Sequence, residues 1–231
     1  MCIIIYKPKG KDLSKDLEKN LVNSFENNFD GCGFMYSHNR KVYINKGFMT
    51  IEELFSELDK IDMTELNMVF HFRYATFGEI SPENCHPFPI SNKNKNLRSL
   101  ITECDQGIAH NGVIKFCEID KSSLSDSQIF IKKYLSKISK NELKNPVIHE
   151  LIEKSTNSKF AIMINDNVYL IGKYIEDKGI FYSNDSYKKY KYRYLNLKGL
   201  QCECCGIMLK KDEGIYKHDM LICEYCDTLF R

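Results

Sequence analysis

The chain has 231 residues, 43% of them hydrophobic, and its 33 Lys and Arg against 31 Asp and Glu leave a formal net charge of +2 at pH 7. That balance excludes a general polycation and a disordered charged tail, and the length holds one substantial domain with a small appendage. No apolar run approaches the ~18 residues of a membrane span, and the opening MCIIIYKPKG is too short and polar for a signal peptide, so no membrane partner and a cytoplasmic location are expected.

In chain order, CIIIY at 2–6 is a short apolar run stopped by Lys-Pro-Lys-Gly and predicts a buried strand. Leu13, Leu17, Leu21, Val22 and Phe25 recur at helical spacing over 13–27. The stretch 32–48 sets β-branched and aromatic residues on both sides of His38-Asn39 and predicts a hairpin turning there. Thr50 with Glu53 predicts a capping box opening a helix to about residue 60, and MVFHFRYAT is a strand whose end presents Arg73 and Thr76. A loop rich in Pro and Asn follows, then the strand and turn of GIAHNGVI. Ser125 or Ser123 caps a helix to about 139, Pro146 opens another to about 154, 160–174 forms a hairpin around 165–167, and GIFYSND adds a strand.

Ten cysteines without a secretion signal suggest reduced thiols or metal ligands. Cys2, Cys32, Cys85, Cys104 and Cys117 are scattered, as small core residues are. Cys202-x-x-Cys205-Gly206 and Cys223-x-x-Cys226 are two knuckles separated by 17 residues, a spacing suited to one tetrahedral structural Zn²⁺ in a ribbon. Cys204 is then a spare thiol, and His218 is an alternative ligand. The metal would supply the folding energy that so short a segment cannot gain from apolar burial. At 187–197, Tyr190, Tyr192 and Tyr194 alternate with Lys189, Lys191 and Arg193. That reads first as the last strand of the large sheet with a solvated charged face, and second as a nucleic-acid surface. The division is accordingly 1–197 for the large domain and 198–231 for the ribbon.

Five segments carry chemistry: Cys2, HFRYATFG at 71–78, NCHPF at 84–88, AHNG at 109–112 and SDSQ at 125–128. Singly, four of them have a plain reading: a Met-Cys start, a surface Arg, an Asn-Gly hairpin turn, a helix-start Asp. Together and in this order, over roughly residues 2 to 186, they resemble the glutaminase domain of the class II glutamine amidotransferases, which are N-terminal-nucleophile hydrolases. The resemblance implies an α+β fold of four layers, αββα. Once Met1 is removed, it makes Cys2 the nucleophile, activated by its own terminal amine. Asn111 and the Gly112 amide supply the oxyanion donors. Arg73 takes the α-carboxylate of glutamine and Asp126 its α-ammonium, with Tyr74, Thr76 and Phe77 beside them. His86 lies in the loop that orders the substrate pocket, and His71 and His110 are hydrogen-bonded core histidines. Two residues depart from the family pattern, Tyr74 where Trp is common and Phe77 where His is common.

About 40 residues beyond the glutaminase segment are too few for a domain that consumes ammonia. The expected function is a glutaminase or amidotransferase subunit that passes ammonia to a separate protein partner docked through the ribbon. Two alternatives stay open: a hydrolase of another γ-glutamyl amide, which Phe77 favours, and a non-catalytic module whose ribbon holds nucleic acid or protein.

Overall fold

The computed structural model describes residues 2–11, 13–75, 79–117, 124–188, 201–209, 214–217 and 220–229. Met1, Thr76, Phe77, Ser123, His218 and the basic segment 189–197 lie outside the described residues. The chain divides into two compact units, Met1–Lys188 and Lys189–Arg231.

The first unit is built from antiparallel strands β1 (Ile3–Lys7), β2 (Cys32–His38), β3 (Lys41–Phe48), β4 (Met68–Phe72), β5 (Phe88–Pro89), β6 (Ile101–Cys104), β7 (Gln106–Asn111), β8 (Lys159–Ile164), β9 (Asn167–Ile171), β10 (Ile175–Asp177) and β11 (Ile180–Tyr182). Its α-helices are α1 (Lys15–Asn27), α2 (Ile51–Leu58), α3 (Asn94–Arg98), α4 (Asp126–Lys133) and α5 (Pro146–Thr156). One sheet runs β10-β11-β1-β4-β2-β3-β6 and the other β5-β7-β8-β9, so the unit is mixed α+β with antiparallel sheets.

Local chemistry sets the element ends. Thr50 Oγ1 accepts from Glu53 N while the Glu53 carboxylate accepts from Thr50 N, which completes the capping box before α2. The β2–β3 hairpin turns at Asn39-Arg40, one residue beyond the expected His38-Asn39. Both turn residues are left-handed, with φ of 50° and 63°, as the two-residue loop that matches strand twist requires. Ser125, with Gln128, caps α4, but that helix stops at Lys133 rather than near 139. Tyr134 leaves helical geometry at φ −122°, and a short 3-10 turn, Leu135–Lys137, buries Leu135.

Three cores stack through the unit. Ile3, Ile5, Phe34, Phe70 and Phe72 pack on Leu17 and Leu21 of α1 and Leu54 and Leu58 of α2. Ile4, Met35, Val42, Ile44 and Val69, from the opposite face of the same sheet, meet Ala109, Ala161 and Met163 of the second sheet. Ile108, Phe160, Ile162 and Ile164 pack in turn on Ile129 and Ile131 of α4 and Ile152 of α5. Strands covered on both faces explain the unbroken apolar runs in the sequence.

The second unit is a hairpin, β12 (Gly214–Lys217) with β13 (Met220–Cys223), followed by α6 (Glu224–Leu229). Its small core joins Leu209, Leu221 and Ile222 to Cys202 and Cys226. Among the described residues no helix is long and apolar enough to cross a membrane.

Candidate functional site

β1 pairs with β4 in a register that sets Ile3 opposite Phe72, so Cys2 and Arg73 leave the ladder side by side. Cys2 Sγ lies 3.3 Å from both the N and the O of Tyr74, and the Tyr74 N–H donates to the sulfur. Burial pushes the Cys2 thiol above its ordinary pKa, while the Tyr74 amide and the Arg73 charge pull the other way. Arg73 is only 4% exposed, which rules out a plain surface charge. Its backbone is pinned on both sides, Arg73 N donating to Gly31 O at 2.9 Å and Asp30 N to Arg73 O at 3.0 Å.

Asp30 is a residue that motif reading passes over. It is buried, and its carboxylate accepts from Ala75 N at 2.7 Å, which holds the chain just where it enters residues 76–78. The available signal was an acid directly ahead of an apolar strand. Gly31 follows at φ +102°, and a Cβ there would come within 2.6 Å of Cys85 Sγ.

β7 carries Asn111 and Gly112 to the same end of the fold. The hairpin reading of Asn-Gly does not apply, because β7 pairs with β5 and β8 and the next element in the chain is α4, not a strand paired with β7 across a two-residue turn. Gly112 sits at φ +149° with Ser158 Oγ 2.2 Å from where a Cβ would be. The Asn111 amide is 8% exposed and donates one Nδ2 proton to Ser183 Oγ at 2.8 Å. Its second proton has no partner among the described residues. Asp126 opens α4, where the macrodipole favours a carboxylate. It accepts from Ser127 N at 2.8 Å and from Ile114 N at 2.9 Å, tying the segment after Gly112 to the helix.

His86 lies beneath this arrangement. Its ring centroid is 4.3 Å from that of His71, 4.5 Å from Phe88 and 6.2 Å from His110. His71 Nε2 is 3.0 Å from His110 O, and His110 Nδ1 is 2.7 Å from Ser127 Oγ. Burial lowers the His71 pKa to about 3 and that of His110 to about 4, and it holds His86 well below the ordinary value, so all three rings are neutral. Buried Lys46 braces the loop that carries His86, donating to Glu83 O and Leu97 O, both at 2.9 Å, with Nζ 3.8 Å above the Phe88 ring.

The structure thus brings Cys2, Arg73, Tyr74, Asn111 and Gly112 to the ends of three strands, with Asp126 reached through Ile114 and His86 packed in the core behind. Thr76 and Phe77 lie outside the described residues.

In the second unit the sulfurs of Cys202, Cys205, Cys223 and Cys226 all lie within 4.8 Å of one another, a group able to bind a metal ion. Cys205 and Cys223 Sγ are 3.7 Å apart, close to the ~3.8 Å edge of a tetrahedron with ~2.3 Å metal–sulfur bonds. Burial opposes the Cys202 thiolate, but N–H groups of Cys205, Cys223 and Cys204 outweigh it and lower its pKa to about 6. Cys226 N likewise donates to Cys223 Sγ at 3.4 Å. Cys204 is exposed and outside the group of four. The second knuckle begins at the end of β13 and closes on α6 rather than in a second hairpin turn, because a helix starts directly at Glu224. Comparison of the chain with family models and with curated proteins found no match.

Proposed function

We propose that the first unit is a glutaminase of the class II amidotransferase type, and that the four-cysteine module holds a structural Zn²⁺. The observation that carries the first part is the convergence of Cys2, Arg73, Asn111 and Gly112, from three different strands, at one end of the two facing sheets. The succession of helices, sheet, sheet and helices through three cores also supports the four-layer arrangement of such enzymes.

With Met1 removed, the Cys2 amine takes the thiol proton and the sulfur attacks the carboxamide carbon of glutamine. The carbonyl oxygen gains the negative charge. It is received by the second Asn111 Nδ2 proton and the Gly112 N–H, donors in place before the charge develops. The C–N bond then breaks as the amine returns the proton to nitrogen, releasing ammonia and leaving a glutamyl thioester. Water attacks the thioester, yielding glutamate and the free thiol. Arg73 orients the substrate α-carboxylate and Asp126 its α-ammonium. Burial raises the thiol pKa and so favours the protonated thiol, which is why the attack needs the terminal amine as its base.

The zinc reading rests on four thiols at tetrahedral spacing, with N–H groups aimed at two of them. Zinc would bind there through Cys202, Cys205, Cys223 and Cys226 and stabilise the module without entering the chemistry. Ammonia then passes to a separate acceptor protein. The test is glutamate formation by protein lacking Met1: wild type converts glutamine and Cys2→Ala does not, whereas equal turnover by both would sink the assignment.

A further inference from the structure

The segment just after β11 belongs to none of the motif elements, yet it bonds both to the Cys2 backbone and to the Asn111 side chain. Ser183 is completely buried. Its Oγ accepts from Ile4 N and from Asn111 Nδ2, each at 2.8 Å. Its N–H donates to Ile4 O at 2.9 Å, and its carbonyl accepts from the Lys159 ammonium. Both acceptor positions of the hydroxyl are therefore filled, one by β1 and one by the end of β7. Next to it, Asn184 Nδ2 donates to Cys2 O at 2.8 Å. Asn184 cannot flip its amide without loss, because Oδ1 already accepts from Ser186 N at 3.0 Å and Ser186 Oγ at 2.7 Å.

We propose that Ser183 and Asn184 are positioning residues for the amide-cleaving site: Ser183 orients the Asn111 amide and Asn184 fixes the Cys2 backbone. The inference rests on the glutaminase reading. An amide with both Nδ2 protons loose can rotate about its terminal torsion, whose minima are broad. Anchoring one proton on Ser183 directs the other to a single place, where the substrate oxygen develops charge. The anchor also spans β1 and β7, so nucleophile and oxyanion donor are held to one hydroxyl and keep their spacing. The Asn184 bond to the Cys2 carbonyl removes rotation from the residue that must present amine and thiol together.

The experiment compares wild type, Ser183→Ala, Asn111→Ala, their double variant, and Asn184→Ala in glutamine hydrolysis, with folding checked by circular dichroism. Asn111→Ala removes an oxyanion donor and should lower kcat by about 10²–10³-fold. Ser183→Ala should lower kcat about 10–100-fold with KM for glutamine nearly constant, since only the transition state needs the aimed proton. The double variant should lose no more than Asn111→Ala alone. Ser183→Thr, which keeps the hydroxyl, should restore activity. Asn184→Ala, at a half-exposed position, should slow both kcat and alkylation of Cys2 while leaving KM in place.

Additive losses in the double variant, or full kcat in a folded Ser183→Ala protein, would overturn the inference. Should Ser183→Ala not fold, an Asn184→Ala protein with wild-type kcat and alkylation rate would overturn it. Hydrogen exchange at the Ile4 amide separates this inference from the reading beneath it. Slow exchange in wild type that speeds up in a folded Ser183→Ala protein, which loses the acceptor of the Ile4 N–H, supports the brace, while unchanged exchange opposes it. A wild-type protein that does not hydrolyse glutamine defeats the functional reading and the catalytic role of the brace together.

Discussion

The three buried histidines make the fold acid-labile by an amount that can be worked out. His71 and His110 have folded pKa values of about 3 and about 4, and His86 lies well below its ordinary value. An unfolded histidine titrates near ~6.5. Between the two ranges the unfolded chain binds protons that the native chain refuses, so stability falls as pH drops and is fully recovered above the unfolded value. At pH 5.5 each ring costs about 1.4 kcal/mol, and the three together take about 4 kcal/mol more from stability than at pH 7. That is a large part of the ~5–15 kcal/mol of an ordinary domain. The perturbation that isolates the effect is His86→Phe. This ring packs against His71 and Phe88, and neither of its nitrogens has a hydrogen-bond partner among the described residues. An apolar ring of similar size should therefore cost little at pH 7 and remove about a third of the acid sensitivity. Equilibrium urea unfolding at pH 7 and 5.5, with metal chelated throughout, measures both. A wild-type loss below about 1 kcal/mol, or an unchanged pH dependence in His86→Phe, would refute the reasoning.

Arg73→Lys keeps the charge and loses the planar fork, so the apparent affinity for glutamine should weaken by ~1.5–3 kcal/mol; an unchanged KM would show that Arg73 does not hold the carboxylate. Gly112→Ala meets Ser158 Oγ at a position with φ +149°, and should cost about 1–3 kcal/mol of stability, read as a lowered urea midpoint, together with most of kcat. Metal analysis should find one zinc per chain. Chelation should release order around Cys202, Cys205, Cys223 and Cys226 while glutamine hydrolysis persists, and protein purified gently without zinc would contradict the metal assignment.

Much of this architecture could be read from local signals. Thr50 with Glu53, Ser125 before α4 and Pro146 as the first residue of α5 mark real helix starts, because a cap satisfies its own helix within four residues and a proline at the first position loses no helical bond. The hairpin turn was displaced by one residue because His38, Asn39 and Arg40 are all polar, and only backbone twist decides which pair takes positive φ. β6 was missed because Thr102, Glu103 and Cys104 carry no apolar alternation; the strand exists by pairing with β3 at the sheet edge. At the site, residue types at motif spacing named Cys2, Arg73, Asn111 and Asp126. Lys46, Ser183 and Asn184 give no signal in the sequence and Asp30 only a weak one, because each acts on groups that are distant in sequence and brought close only by the fold. Spacing alone picks out the four cysteines whose sulfurs cluster, since ligands of one metal must return to one point, whereas of the five scattered cysteines Cys32, Cys85 and Cys117 are buried as expected and Cys2 and Cys104 only partly so.

The most direct test of the account is the intact mass of protein lacking Met1 after incubation with a diazoketone analogue of glutamine. The account predicts one stoichiometric adduct, mapped to Cys2, blocked by excess glutamine and absent from Cys2→Ala. No adduct, or one on another cysteine that glutamine does not protect, would contradict it.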